Sequence, residues 1–232
     1  MKKRVVFIVV LSLLFLITAC TKNTQSNEPL SNNNENNQKD IFSLIPDGWH
    51  ILERVEGEPT KAEADLNNDS INDIAIVIEE TNKSLDIAPK RALLVAFGNK
   101  NNAYTLSAIT EKAILKADEG GVWGDPLEGI SVDRGSFLIS FYGGSNWRWY
   151  STYRFRFQDN DWYLIGATLG SYFTGNTTKE NADEEDYNLL TGDYIKKKAD
   201  EKGNIQTTKG NRGIKELLKL KDFVANSEEL QF

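Results

Sequence analysis

From Tyr153 to Phe157 aromatic and cationic residues alternate without a break, Tyr-Arg-Phe-Arg-Phe. Successive side chains of a β-strand point to opposite faces, so this run puts three rings on one side and two guanidinium groups on the other. That is the pattern of an antiparallel strand with one buried face and one wet face. Asp159-Asn160-Asp161 follows, all residues that tolerate tight turns, and then Trp162-Tyr163-Leu164-Ile165. The sequence predicts a β-hairpin here, and a hairpin needs a sheet around it to be stable.

The rest of the chain beyond residue 40 has the same texture. Short β-branched or alternating runs predict strands at Trp49–Val55, Ala62–Asp65, Ile74–Glu79, Ala92–Phe97 and Tyr104–Ile109. Further strands are expected at Ile130–Val132, Ser136–Tyr142, Arg148–Gln158 and Trp162–Gly170, with a second hairpin from Asp193–Ala199 and Ile205–Lys209. Only Thr110–Lys116 and Gly213–Leu220 suggest helix, and the acidic run Glu180–Asp186 suggests a solvated loop. The expected fold class is mainly β: a single antiparallel domain over residues 41–232 with few short helices.

The first 40 residues have a different character. Met1-Lys2-Lys3-Arg4 precedes an apolar run from Val5 to Ile17, which ends at Thr18-Ala19-Cys20. This is the charged, apolar and small-residue order of a secretory signal. The apolar run, about 13 residues, is short of the roughly 20 that span a bilayer. Ile17-Thr18-Ala19-Cys20 resembles the lipobox of bacterial lipoproteins. The resemblance implies that residues 1–19 are a signal peptide and that the Cys20 thiol carries the acyl chains, palmitate among them. It also implies a cell-membrane anchor on the extracytoplasmic face, in the outer membrane where a cell has two. Thr21–Asp40 is rich in Asn, Gln and Ser, so residues 20–40 are expected to form a disordered tether.

Cys20 is the only cysteine, so the domain cannot be held by an internal disulfide. The formal charge is −7, and loss of Lys2, Lys3 and Arg4 with the leader takes it to −10. So acidic a protein is expected to bind nucleic acid poorly, because affinity for phosphates rests on clustered Lys and Arg, and anionic lipid should repel it. A membrane link must then be covalent, through Cys20.

Asp65-Leu66-Asn67-Asn68-Asp69-Ser70-Ile71-Asn72-Asp73 places oxygen-bearing side chains at alternate positions of a short loop. A hard cation such as calcium needs six to eight such oxygens. Asp65, Asn67, Asp69 and Asp73 would offer side chains and Ile71 its carbonyl; without metal the segment is an Asx-rich turn. The loop resembles the hairpin of FG-GAP and VCBS-type repeats, in which calcium staples two strands. It departs from them at Ser70, where those loops carry glycine. With Gly120–Pro126, Phe141–Trp149 and Trp162–Gly166 it is also similar to an uncharacterised family of secreted and lipoprotein β domains.

Trp123, Trp147, Arg148 and Trp149 lie in or beside glycine-rich segments and are candidates for a ligand-binding face. The alternative is that these aromatics fill the β core or its edge. Strand parity places Arg148 and Trp149 on opposite faces. His50 is the sole histidine and is expected to be partly buried beside Trp49. No nucleophile elbow, metalloprotease helix or phosphate loop is present, and only a carboxylate pair such as Asp125 and Glu128 suggests catalysis. The expected function is a non-catalytic, calcium-stapled lipoprotein domain that binds a protein or an envelope polymer such as a polysaccharide. Two alternatives are an envelope-protective inhibitor or accessory lipoprotein acting by protein contact, and a carboxylate-dependent glycan hydrolase.

Overall fold

The computed structural model describes residues 40–81, 87–200, 204–225, 227 and 230–232. The signal peptide, Cys20 and the tether proposed for residues 20–40 lie outside the described residues, except for Asp40. The described residues form fourteen strands, in antiparallel sheets.

The first sheet contains β1 (Trp49–Ile51), β4 (Lys61–Ala64), β5 (Asp73–Glu80), β6 (Arg91–Gly98) and β7 (Tyr104–Thr110). β1 and β4 both pair with β5, which pairs with β6, and β6 pairs with β7. Between β1 and β4 the chain makes a small ribbon of β2 (Glu53–Val55) and β3 (Glu58–Pro59). The second sheet is a continuous meander of seven strands: β8 (Leu127–Asp133), β9 (Ser136–Gly144), β10 (Trp147–Gln158), β11 (Asp161–Phe173), β12 (Asp183–Asn188), β13 (Asp193–Ala199) and β14 (Ile205–Asn211). The expectation of a mainly β, antiparallel fold is met.

The two sheets pack face to face. Ala75, Val77, Leu93 and Val95 from the first meet Leu127, Phe137, Ile139, Phe141, Phe155, Trp162 and Leu164 from the second in one core. Phe223 closes that core against Tyr153 and Phe155, with ring centroids 4.7 and 5.2 Å away. β5 and β6 are apolar on both faces, so the far side of the first sheet also needs cover. Ile41, Leu44 and Ile45 supply it, together with Trp49 and Ile51, over Ile74, Ile76, Ile78, Leu94 and Ala96. A 3-10 turn at Ile41–Leu44, capped by Asp40, starts this layer. Residue 40 therefore joins the domain on the side opposite the outward face of the seven-stranded sheet.

Three expectations are corrected. Thr110–Lys116 is not a helix: Ala113, Ile114 and Leu115 are consecutive and all buried, and the segment plugs the core as a series of turns. Gly213–Leu220 is not a helix either, because its backbone serves the second sheet. The Leu164 amide donates to Leu218 and the Leu220 amide donates to Trp162, at 2.8 and 2.9 Å. On β11, β12 covers only Gly166–Ser171, and this segment fills the edge left open below it. The acidic run is a strand from Asp183, not a loop. Lys196 and Lys197 of β13 stand opposite Glu185 and Glu184 and hold them at 2.8 Å each. Among the described residues no helix is long and apolar enough to cross a membrane.

Candidate functional site

The alternation in β10 decides which side chains can share a surface. Trp149, Ser151, Tyr153, Phe155 and Phe157 face the core, and Arg148, Tyr150, Thr152, Arg154 and Arg156 face outward. β9 and β11 add outward residues in register: Tyr142 opposite Tyr150, Tyr172 opposite Arg148, and Thr168 opposite Thr152.

At one end of this outward face lies an aromatic and cationic cluster. The Arg148 guanidinium sits 4.5 Å from the centre of the Trp123 ring, and Tyr142 meets that ring edge-on at 5.0 Å. Arg148 is held in place by a 3.1 Å hydrogen bond to the Gly144 carbonyl. The Tyr142 and Tyr172 hydroxyls share a 2.6 Å hydrogen bond, and Lys179 lies over both Tyr142 and Tyr150. Burial, and then that shared bond, push the Tyr172 hydroxyl up to about 12. Burial and the Tyr150 hydrogen bond to Glu184 push Tyr150 higher still. Both hydroxyls therefore stay protonated and can only hydrogen-bond at neutral pH. Trp123 is 52% exposed beside this cluster, so an apolar ring face remains available next to a cation.

Of the four aromatic-loop candidates the structure brings together two, Trp123 and Arg148. Trp147 is exposed but on the core-side parity, where it packs on Phe173 at 5.4 Å past the end of the covered region. Trp149 is half-buried against the core, with its ring over Gly143. Sequence reasoning missed Tyr142, Tyr150, Tyr172 and Lys179. The parity of the three tyrosines with Arg148 was the signal that could have found them.

Further along the same face β11 carries Gly166 outward, next to a bulge at Arg154/Phe155. The missing side chain opens a groove of about 450 Å³, lined by Arg134, Arg154 and Arg156 on one side and Asp186, Asn188 and Leu190 on the other. Arg154 is fixed by bonds to Asp133 and Ser136.

The Asp65–Asp73 loop connects β4 to β5. Asp65 accepts the backbone N–H groups of Asp69 and Ser70, and Asp69 accepts that of Ile71. Asn67 accepts the Asp69 amide through Oδ1 and donates through Nδ2 to Asp69. Asp73 is fully buried and takes three backbone donors, from Leu66, Asn67 and Gly98. Burial raises its pKa above the ordinary value despite those bonds. Asn68 and Ser70 adopt left-handed conformations, φ 66° and 67°. Among the described residues no three His, Cys, Asp or Glu side chains form a group that could hold a metal ion, and Asp65, Asp69 and Asp73 have no Lys or Arg partner. Asp73 Oδ2 already takes two backbone donors, so the acceptor positions left open are on Asp65, Asn67 and Asp69, oxygens of the kind a hard cation takes.

The carboxylates proposed for hydrolysis are placed differently. Both Asp125 oxygens are taken by the Arg91 guanidinium, at 2.7 and 2.8 Å. Burial works to raise the Asp125 pKa, but Arg91 and the Leu127 amide together bring it below its ordinary value. A carboxylate so paired holds no proton to donate at neutral pH and has no free oxygen for attack. Glu128 is exposed. His50 is exposed rather than partly buried, 3.3 Å from the Thr81 hydroxyl. No protein-family model, curated protein or solved structure matches this chain.

Proposed function

We propose that this chain is a membrane-tethered extracytoplasmic lipoprotein whose non-catalytic β domain binds an envelope polymer through the outward face of the seven-stranded sheet. The observation that carries this reading is the Trp123–Arg148–Tyr142 cluster on that face. Such a cluster offers a flat apolar ring for a sugar face and hydrogen-bond donors at its rim. Asp125, Glu128 and His50 do not gather into a catalytic arrangement, which favours binding over turnover.

Calcium belongs to the same reading as a structural ligand of Asp65, Asn67, Asp69, the Ile71 carbonyl and Asp73. What supports it is three carboxylates within nine residues and no basic partner among the described residues. The cation would offset their mutual repulsion and hold β4 against β5.

The test uses the full chain and insoluble cell-wall material. Wild type should be retained, and Trp123→Ala/Arg148→Ala should be released with its melting temperature unchanged. Retention of both alike would reject the face, and capture of a protein rather than polymer would favour the inhibitor reading. Cys20→Ser should move the protein from the membrane fraction to the soluble one.

A further inference from the structure

The groove beside Gly166 carries an unspent donor on each wall and an open acceptor on one of them. Arg156 uses Nε and Nη2 on Gln158, at 3.1 and 2.6 Å, and its Nη1 has no partner among the described residues. Nor does any described carboxylate lie within ion-pair distance of Arg156. Asn188 accepts the Leu190 and Thr191 amides through Oδ1, which leaves Nδ2 to donate. Asp186 accepts the Thr168 hydroxyl on Oδ1 at 2.7 Å, and its Oδ2 remains open among the described residues.

Charge points the same way. Of the seven arginines from residue 40 onward, Arg134, Arg148, Arg154 and Arg156 all belong to β9–β10 or the turn before them, in a protein of net charge −7. Three of the four line this groove. A guanidinium fork matches an oxyanion, and donors that arrive from the β8–β9 turn, β10 and β12 suit a tetrahedral one better than a planar one. The open Asp186 oxygen sits against an anion alone, but it suits an anion that also carries a hydroxyl.

We propose that this groove binds a phosphodiester-linked polyol or sugar chain, with phosphate oxygens on Arg156 and Asn188 and a ligand hydroxyl donated to Asp186. The inference rests on the polymer-binding reading above and specifies the polymer. Gly166 lets the chain lie close to the sheet backbone, and the outward row Arg148, Tyr150, Thr152, Arg154 and Arg156 runs for about 27 Å, enough for several repeat units. The Trp123 ring then lies at one end of the track and the phosphate site at the other.

The test immobilises the full chain and measures binding of three soluble polymers: poly(glycerol phosphate), polygalacturonate and dextran. Poly(glycerol phosphate) should bind best, and its binding should weaken between about 0.05 and about 0.5 M NaCl. Arg156→Gln should cost about tenfold, the worth of one charge-assisted hydrogen bond, and Arg156→Lys should recover part of it. Among the described residues the Arg156 side chain hydrogen-bonds only to Gln158, so both variants should melt close to wild type. Equal binding of polygalacturonate or dextran, or no loss in Arg156→Gln, would overturn the groove assignment while leaving polymer binding intact. Failure of all three polymers and of wall material would remove the underlying reading as well.

Discussion

Arg91 on β6 crosses the gap between the two sheets and grips both oxygens of Asp125, at 2.7 and 2.8 Å, while its Nε holds Glu79 at 2.8 Å. The Arg91 side chain is 3% exposed and the Asp125 side chain 26%. With no disulfide in the domain, this clasp ties the first sheet to the segment that leads into β8, and the Trp162 indole N–H donated to Ser107 is a second polar link between the sheets.

Removal of one partner strands the other away from water, which costs about 3 kcal/mol for pairs of this kind. Arg91→Met should therefore lower stability by about that much in denaturant unfolding. The depressed Asp125 pKa adds a pH signature. Its contribution is present above the ordinary value of 3.8 and is lost as pH falls through the lower folded value. In Arg91→Met the Leu127 amide and Arg54 are left to oppose burial, so the pH dependence that Asp125 contributes should shrink. A variant whose stability follows the wild-type pH curve would contradict the clasp.

The calcium loop makes a paired prediction. Excess calcium should raise the melting temperature of the full chain relative to chelator, and Asp65→Ala/Asp69→Ala should abolish the difference. Ser70 sits at φ 67°, a region that favours glycine. Ser70→Gly should stabilise the chelated protein by about 0.5–1 kcal/mol. Identical melts in calcium and chelator would reduce the loop to an Asx-rich turn.

Gly170 faces outward on β11 under the Tyr150 ring, and a Cβ there would collide with it. Gly170→Ala should displace Tyr150 from Glu184 and cost about 1–3 kcal/mol. It should also bring the Tyr150 hydroxyl back toward its ordinary pKa, seen as tyrosinate absorbance at lower pH than in wild type. An unchanged titration would mean that the ring does not rest there.

How much of this was legible in the sequence varies with the range of the forces involved. The β10–β11 hairpin was written in the alternation from Tyr153 to Phe157 and in Asp159 and Asn160, which the structure places at φ 50° and 58°. Local chemistry sufficed there. β12 was not legible, because Asp183–Asp186 becomes a strand only when Lys196 and Lys197 stand opposite. The supposed helix at Gly213–Leu220 yields to an open edge of β11 more than fifty residues earlier. Within the candidate site, parity separated Arg148 from Trp149, but nothing local said that Trp123 would fold back onto Arg148. The groove at Gly166 needs four strands and the β8–β9 turn and was invisible one segment at a time.

The two exposed tryptophans give the most direct test of the central claim, because Trp123 lies on the outward face and Trp147 on the other. Hydroxyl-radical footprinting of the full chain, with and without soluble wall polymer, reads both side chains in one experiment. The account predicts strong protection of Trp123 and none of Trp147. Protection of Trp147 with Trp123 unchanged would place the binding surface elsewhere and contradict it.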